Sequence, residues 1–169
     1  MTRTIWPKQL PRLSRGHFVG WILSTDRPSL SECPSACTWL IHPLDDSTEP
    51  HADVKISQGN YSDEKRANLA GAIGAVEDLE PESSIILFTR ETYVSDGLIL
   101  VGEWRDNGWK NAKGELIKND RLWARLLEVI EERELDVTAR HWQADEYRAT
   151  HIKLKKLAQA ALNKRGRSS

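Results

Sequence analysis

The stretch "SSIILFTRETYVSDGL" (residues 83–98) joins two kinds of local pattern within a few residues. Ile85-Ile86-Leu87-Phe88 is an uninterrupted apolar run rich in β-forming residues, and it stops at Thr89. Short apolar runs bounded by polar residues are the mark of a strand covered on both faces. The charged pair Arg90-Glu91 follows, and "TYVSDGLILV" (92–101) then reads as a short helix that bends at Gly97. Handovers from a buried strand to a helix are common sites of chemistry in α/β proteins. Many enzymes that build a metal site there place an Asp at the strand tip. This chain places an arginine there.

The flanking sequence supplies the rest of the fold. On the N-terminal side, "GHFVGWILST" (16–25) and "ACTWLIHP" (36–43) read as strands, and "ADVKISQG" (52–59) alternates Val54 and Ile56 with polar neighbours, as a half-buried strand does. Ser62 is placed to cap a helix, with Asp63 and Glu64 favourable at its positive end; Leu69, Ala72, Ile73, Val76 and Leu79 then recur at helical spacing up to Pro81. On the C-terminal side, residues 104–118 read as a loop and helix rich in Trp, Lys and Asn. "NDRLWARLLEVIEER" is an amphipathic helix, "LDVTARHW" a last strand, and "YRATHIKLKKLAQAALNK" a closing helix. The order β-β-β-α-β-α-α-β-α predicts an α/β fold. Its mixed five-stranded sheet has three antiparallel strands, then parallel strands entered through helical crossovers, with helices on both faces. Residues 1–15, with Pro7 and Pro11, read as an extended basic arm, 16–164 as one domain and 165–169 as a basic tail.

With 169 residues, 39% of them apolar and 29% charged, the chain suits a globular domain with its own core. No apolar run is long enough to cross a bilayer, and no signal-peptide pattern opens the chain, so no membrane partner and a cytoplasmic location are expected. Cys33 and Cys37 are spaced C-x-x-x-C without a second pair to complete a zinc site; two reduced structural thiols, a disulfide and half of a metal site all fit that spacing. The net charge is −1, but bases dominate both ends of the chain, from Arg3 to Arg15 and beyond Arg148. Basic ends are compatible with phosphate contact and equally with solvated termini.

These strings, in this order, resemble the type 1 ribonuclease H family. "EWRDNGWKNAKGELIKNDRLWARLL" (103–127) is similar to the family's basic, Trp-bearing substrate segment and the helix after it. "TRETYVSDGL" is similar to its strand-to-helix element T-D-S-x-Y-V-x-x-G-I, "EKRANLAGAIGAVEDL" to its first helix, "WILSTD" to its first strand with a terminal Asp, and "KKLAQAAL" to its last helix. The resemblance covers residues 18–163 and is closest in the middle of the chain.

The resemblance implies a nuclease that holds two divalent cations, about 3.5–4 Å apart, on four carboxylates. The matching positions here are Asp26, Asn68, Arg90 and Lys155, so one acid of four remains and two are replaced by cations. Arg90 is placed to pair with Asp26 and fill the space of an ion. Glu91 reaches the site only if the strand has already ended, because successive strand residues face opposite sides of a sheet; Asp63 and Glu64 lie more than a turn before Asn68 and suit a helix start, and Asp145 and Glu146 precede the last helix, from where they can approach the cleft. What remains is the substrate segment. The resemblance assigns nucleic-acid contact to Trp104, Trp109, Lys110, Lys113 and Lys118, joined by Arg90 as a phosphate clamp. Trp104 and Trp123 also fit as core anchors. The expectation is therefore a catalytically inactive ribonuclease H-like domain that binds an RNA/DNA hybrid or duplex without metal-dependent cleavage and without a cofactor. Two alternatives stand beside it: a protein-interaction scaffold, and an active hybrid nuclease with relocated ligands, for which Mg²⁺ or Mn²⁺ would be the cofactor.

Overall fold

The computed structural model describes residues 13–25, 36–44, 51–56, 64–90, 92–142 and 148–167. Among them the elements are β1 (His17–Thr25), β2 (Ala36–Pro43), β3 (His51–Ile56), α1 (Glu64–Glu77), β4 (Ser84–Thr89), α2 (Thr92–Asp106), α3 (Asp120–Glu132), β5 (Asp136–His141) and α4 (Arg148–Arg167). Their order is the predicted one. They form a five-stranded sheet ordered β3-β2-β1-β4-β5. β1 pairs antiparallel with β2 and β2 with β3, whereas β4 runs parallel to β1 and β5 parallel to β4.

Strand alternation divides the side chains between two layers. Phe18, Ile22, Trp39, Ile41, Ile85 and Leu87 join the main core with α1, α2 and α3. Trp21, Leu23 and Leu40 turn to the opposite face and meet Leu154 of α4. The apolar run of β4 is covered on both sides for this reason. Ile85, Leu87 and Thr89 are buried on the α1 side, while Phe88 stacks on Trp21 with ring centroids 6.0 Å apart.

α1 is buried over a much wider arc than its apolar stripe predicts. Residues 67–69 and 71–79 are all buried, because α1 lies between the sheet and helices α2 and α3. Small residues permit this: a Cβ on Gly74 would stand 2.5 Å from the Trp39 ring. The polar groups at its C-terminal end are matched internally. Glu77 pairs with Arg125 at 3.3 Å, Asp78 accepts from Trp39 Nε1 at 3.0 Å, and Arg133 Nη1 donates to the carbonyls of Val76, Glu77 and Leu79. Leu13 bridges to Leu79 and Arg15 pairs with Glu82, which ties residues 13–15 to the same corner.

Two local expectations are corrected. α2 runs on past the short helix expected over 92–101 to Asp106, and Gly97 is where Trp123 packs against it: a Cβ there would lie 2.2 Å from the indole. Residues 107–119 contain no helix. Positive φ at Gly108, Trp109, Gly114 and Asn119 breaks helical geometry repeatedly, and Lys110 bridges antiparallel to Leu116 instead. Cys37 is buried on β2, while Cys33 and Ser62 lie outside the described residues. Among the described residues, no helix is long and apolar enough to cross a membrane.

Candidate nucleic-acid interface

Arg90 is the first residue beyond β4, and its side chain follows the parity of Ile86 and Phe88 toward α4. There its Nη1 lies 3.5 Å from Nδ1 of His151. Lys155 stands one helical turn further along α4, on the same face as His151. The imidazole is also set edge-on to the buried Trp142, with centroids 5.8 Å apart and planes at 68°. Burial, then the charges of Arg90 and Lys155, lower the pKa of His151 below its ordinary value of 6.5. A guanidinium can only donate, so Nδ1 accepts from Arg90 in the neutral tautomer that carries its proton on Nε2.

Of the four positions matched to the family's carboxylates, Arg90 and Lys155 are both exposed and are brought to this one place. Asn68 is 1% exposed on α1. Asp26 lies outside the described residues. The described side chains do not fit a pair of divalent cations: a guanidinium and an ammonium repel such ions, and one amide oxygen does not offset their charge. Among the described residues, no three His, Cys, Asp or Glu side chains gather to hold a metal.

The second cluster surrounds residues 107–119. Trp109 N donates to Trp104 O at 2.7 Å and Ile117 N to Trp109 O at 2.8 Å, which closes the loop onto the end of α2. At the tip, Asn111 Oδ1 accepts from the backbone N–H of Lys113 and of Glu115. Lys110, Lys113 and Lys118 are exposed around this rigid frame, whereas Trp104 and Trp109 are half-buried and pack on the core. Trp104 meets Trp123 edge-on at 5.5 Å. Trp104 thus serves packing first, as Trp123 does, and offers only an edge to a ligand.

Tyr93, three residues after Arg90, joins the loop to the body. Its hydroxyl accepts from Trp123 Nε1 and from Asn119 Nδ2, each at 3.1 Å, and donates to the carbonyl of Lys118 at 3.2 Å. An open groove runs beside it, lined by Lys65, Thr92, Tyr93, Asp96, Gly97, Leu100 and Trp104. Lys65 Nζ lies 5.8 Å from the Tyr93 ring, and Arg66 donates to Asn119 Oδ1 at 3.1 Å. Sequence reasoning missed His151, Lys65 and Arg66. The four-residue spacing of His151 and Lys155 on a basic helix was a usable signal; nothing in the sequence brought the start of α1 to the loop.

A family profile described as RNase H matches residues 29–148. Ribonuclease H of Parvibaculum lavamentivorans is 39% identical over 66 residues, covering 38% of this chain and 44% of that protein. Ribonuclease H of Ruegeria pomeroyi is 42% identical over 62 residues, covering 36% of this chain and 40% of that protein. The chain spans about half the length of the curated relatives it matches. Among solved structures, the foamy viral protease-reverse transcriptase in complex with RNA/DNA hybrid has a TM-score of 0.70 at 17% identity, covering 95% of this chain and 22% of that one. LC9-RNase H1, a type 1 RNase H with the type 2 active-site motif, has a TM-score of 0.63 at 17% identity, covering 88% of this chain and 73% of that one. At such identities the structures speak for the fold, and the fold is ribonuclease H-like. With the family profile spanning most of the sequence, the chain belongs to the RNase H family.

Proposed function

We propose that this domain binds nucleic acid, an RNA/DNA hybrid or another duplex, and does not cleave it by the metal-dependent route. The observation that carries the reading is the meeting of Arg90 and Lys155 around His151, at positions the family resemblance gives to carboxylates. Two cations there repel Mg²⁺ or Mn²⁺ and attract a phosphate. The exposed lysines of the 107–119 loop extend the positive surface, and the groove beside Tyr93 offers an aromatic edge and a lysine to a sugar-phosphate strand. Two foamy viral protease-reverse transcriptase structures of the same fold are complexes with an RNA/DNA hybrid and with double-stranded DNA, which supports a nucleic-acid partner for this chain.

Fluorescence anisotropy with hybrid, duplex DNA and duplex RNA at two salt concentrations tests the reading. Affinity should fall with salt, with a log–log slope of about 0.9 per phosphate contacted on B-form DNA. Absence of binding to all three duplexes would refute the nucleic-acid reading in favour of a protein-interaction scaffold. Hybrid cleavage in Mg²⁺ or Mn²⁺ that Asp26→Asn abolishes would refute the inactivity. Restoring Asn68→Glu, Arg90→Asp and Lys155→Asp together should create calorimetrically detectable Mn²⁺ binding.

A further inference from the structure

Arg90 is oriented by a neutral imidazole, and an imidazole is a weak partner for a guanidinium. The contact is long, at 3.5 Å, and among the described residues no carboxylate pairs with Arg90 or Lys155. His151 does not swing freely, because Trp142, 1% exposed, fixes its ring edge-on. Arg90 at the tip of β4 and His151 on α4 thus meet at the surface, and Lys155, one turn along the same face of α4, stands close enough for its charge to act on His151.

We infer that Arg90, His151 and Lys155 form a receptor for one oxyanion, a phosphodiester of a nucleic-acid backbone, and that His151 takes up a proton when the anion binds. This deepens the nucleic-acid reading and rests on it for the identity of the ligand. An anion oxygen is a far better acceptor for Arg90 than Nδ1 is. Once the anion has taken over the guanidinium, Nδ1 is available to a proton, and the protonated ring donates to the same anion. The negative charge also offsets the two cations that disfavour imidazolium in the empty site. Binding and protonation therefore favour each other, and the coupling is reciprocal.

Among the described residues, His141 at the end of β5 has the parity of the opposite face of the sheet, and Arg148, one turn before His151 on α4, carries a charge that does not change with pH. Among the described residues of β1 and β2, the α4 side presents Trp21, Leu23, Thr38 and Leu40, which do not titrate in this range. By strand parity, His17 and His42 share that side, but both lie at the opposite end of these strands, where His42 is paired with Val19. Arg140 of β5, opposite Phe88, adds a permanent charge that does not change with pH.

Sulfate, a dianion throughout the range, is the probe for the site, followed by NMR of the His151 ring in the full chain between pH 5.5 and 7.5. Sulfate should shift the His151 resonance and raise its titration midpoint, and its affinity should increase by up to about tenfold per pH unit on acidification. Arg90→Gln and Lys155→Gln should each weaken sulfate about fivefold or more. His151→Gln should leave the circular dichroism spectrum unchanged and abolish the pH dependence. A titration midpoint that sulfate leaves in place, or moves equally in Arg90→Gln, overturns the inference. A short RNA/DNA hybrid separates it from the broader reading. Hybrid binding at wild-type affinity by Arg90→Gln removes the site and leaves nucleic-acid binding standing. A positive sulfate titration with no hybrid binding keeps the oxyanion site and removes the phosphodiester as its ligand.

Discussion

Replacing Tyr93 with Phe keeps the ring and removes one oxygen, so its consequences follow from three hydrogen bonds. The hydroxyl accepts from Trp123 Nε1 and Asn119 Nδ2 and donates to the Lys118 carbonyl. Trp123 is fully buried, so water does not replace its lost acceptor; an orphaned buried donor costs about 1–3 kcal/mol. Asn119 is half-buried and loses about 0.5–1 kcal/mol, while the exposed Lys118 carbonyl turns to solvent at little cost. Ring packing survives, including the edge-on contact with Trp123 at 5.5 Å and the Lys65 ammonium over the ring. The sum is about 1.5–4 kcal/mol of global stability, which for a domain of this size lowers Tm by about 3–16 °C. Urea unfolding followed by circular dichroism should show a lower midpoint with an unchanged slope. Amide exchange in 107–119 should accelerate well beyond that in α4, because the base of the loop is released. Asn119→Ala should cost less in the Tyr93→Phe background than in wild type. A loss below about 0.5 kcal/mol, or exchange unchanged in the loop, would refute the role of Tyr93 as the joint between loop and core.

Gly97→Ala places a Cβ 2.2 Å from the Trp123 ring, and overpacking should cost about 1–3 kcal/mol despite the better helix propensity of alanine; a thermal melt that matches wild type counts against the packing argument. Arg125→Met should leave Glu77, 2% exposed, without its partner and destabilise the protein by about 3–5 kcal/mol, whereas Arg125→Met with Glu77→Leu should recover most of that loss in denaturant titration. The pKa of His151 is lowered in the folded state, so its contribution to stability is fully present above the unfolded value of 6.5 and is lost as pH falls through the folded value. His151→Gln should accordingly flatten the acid side of the stability profile measured at low anion concentration.

Much of the fold was legible because its signals are local. The run Ile85–Phe88, the helical spacing of Leu69, Ile73 and Val76, and the alternation of Val54 and Ile56 each report on neighbours a few residues away. The misreadings lie where distant groups override local preference. Local reading takes Gly97 only for its effect on the helix, whereas it keeps a space for Trp123 from α3. Residues 104–118 read as partly helical despite the turn-forming Asn107-Gly108 and Lys113-Gly114, and the left-handed turns at Trp109 and Asn119 are stabilised by partners outside the loop. Trp104, which the sequence offered both to a ligand and to the core, packs against the core and also lines the groove beside Tyr93.

By itself the sequence determined the element order and the family resemblance, and it set Asn68, Arg90 and Lys155 against positions that the resemblance gives to carboxylates, since these depend on residue identity and short-range spacing. Only the tertiary structure decided that Arg90 turns toward α4, that His151 stands against it and that Tyr93 pins the basic loop. Those facts depend on strand parity at the sheet face and on which helix covers that face. The partners are separated by 61 residues in one case and 25 in the other, beyond the reach of any local pattern.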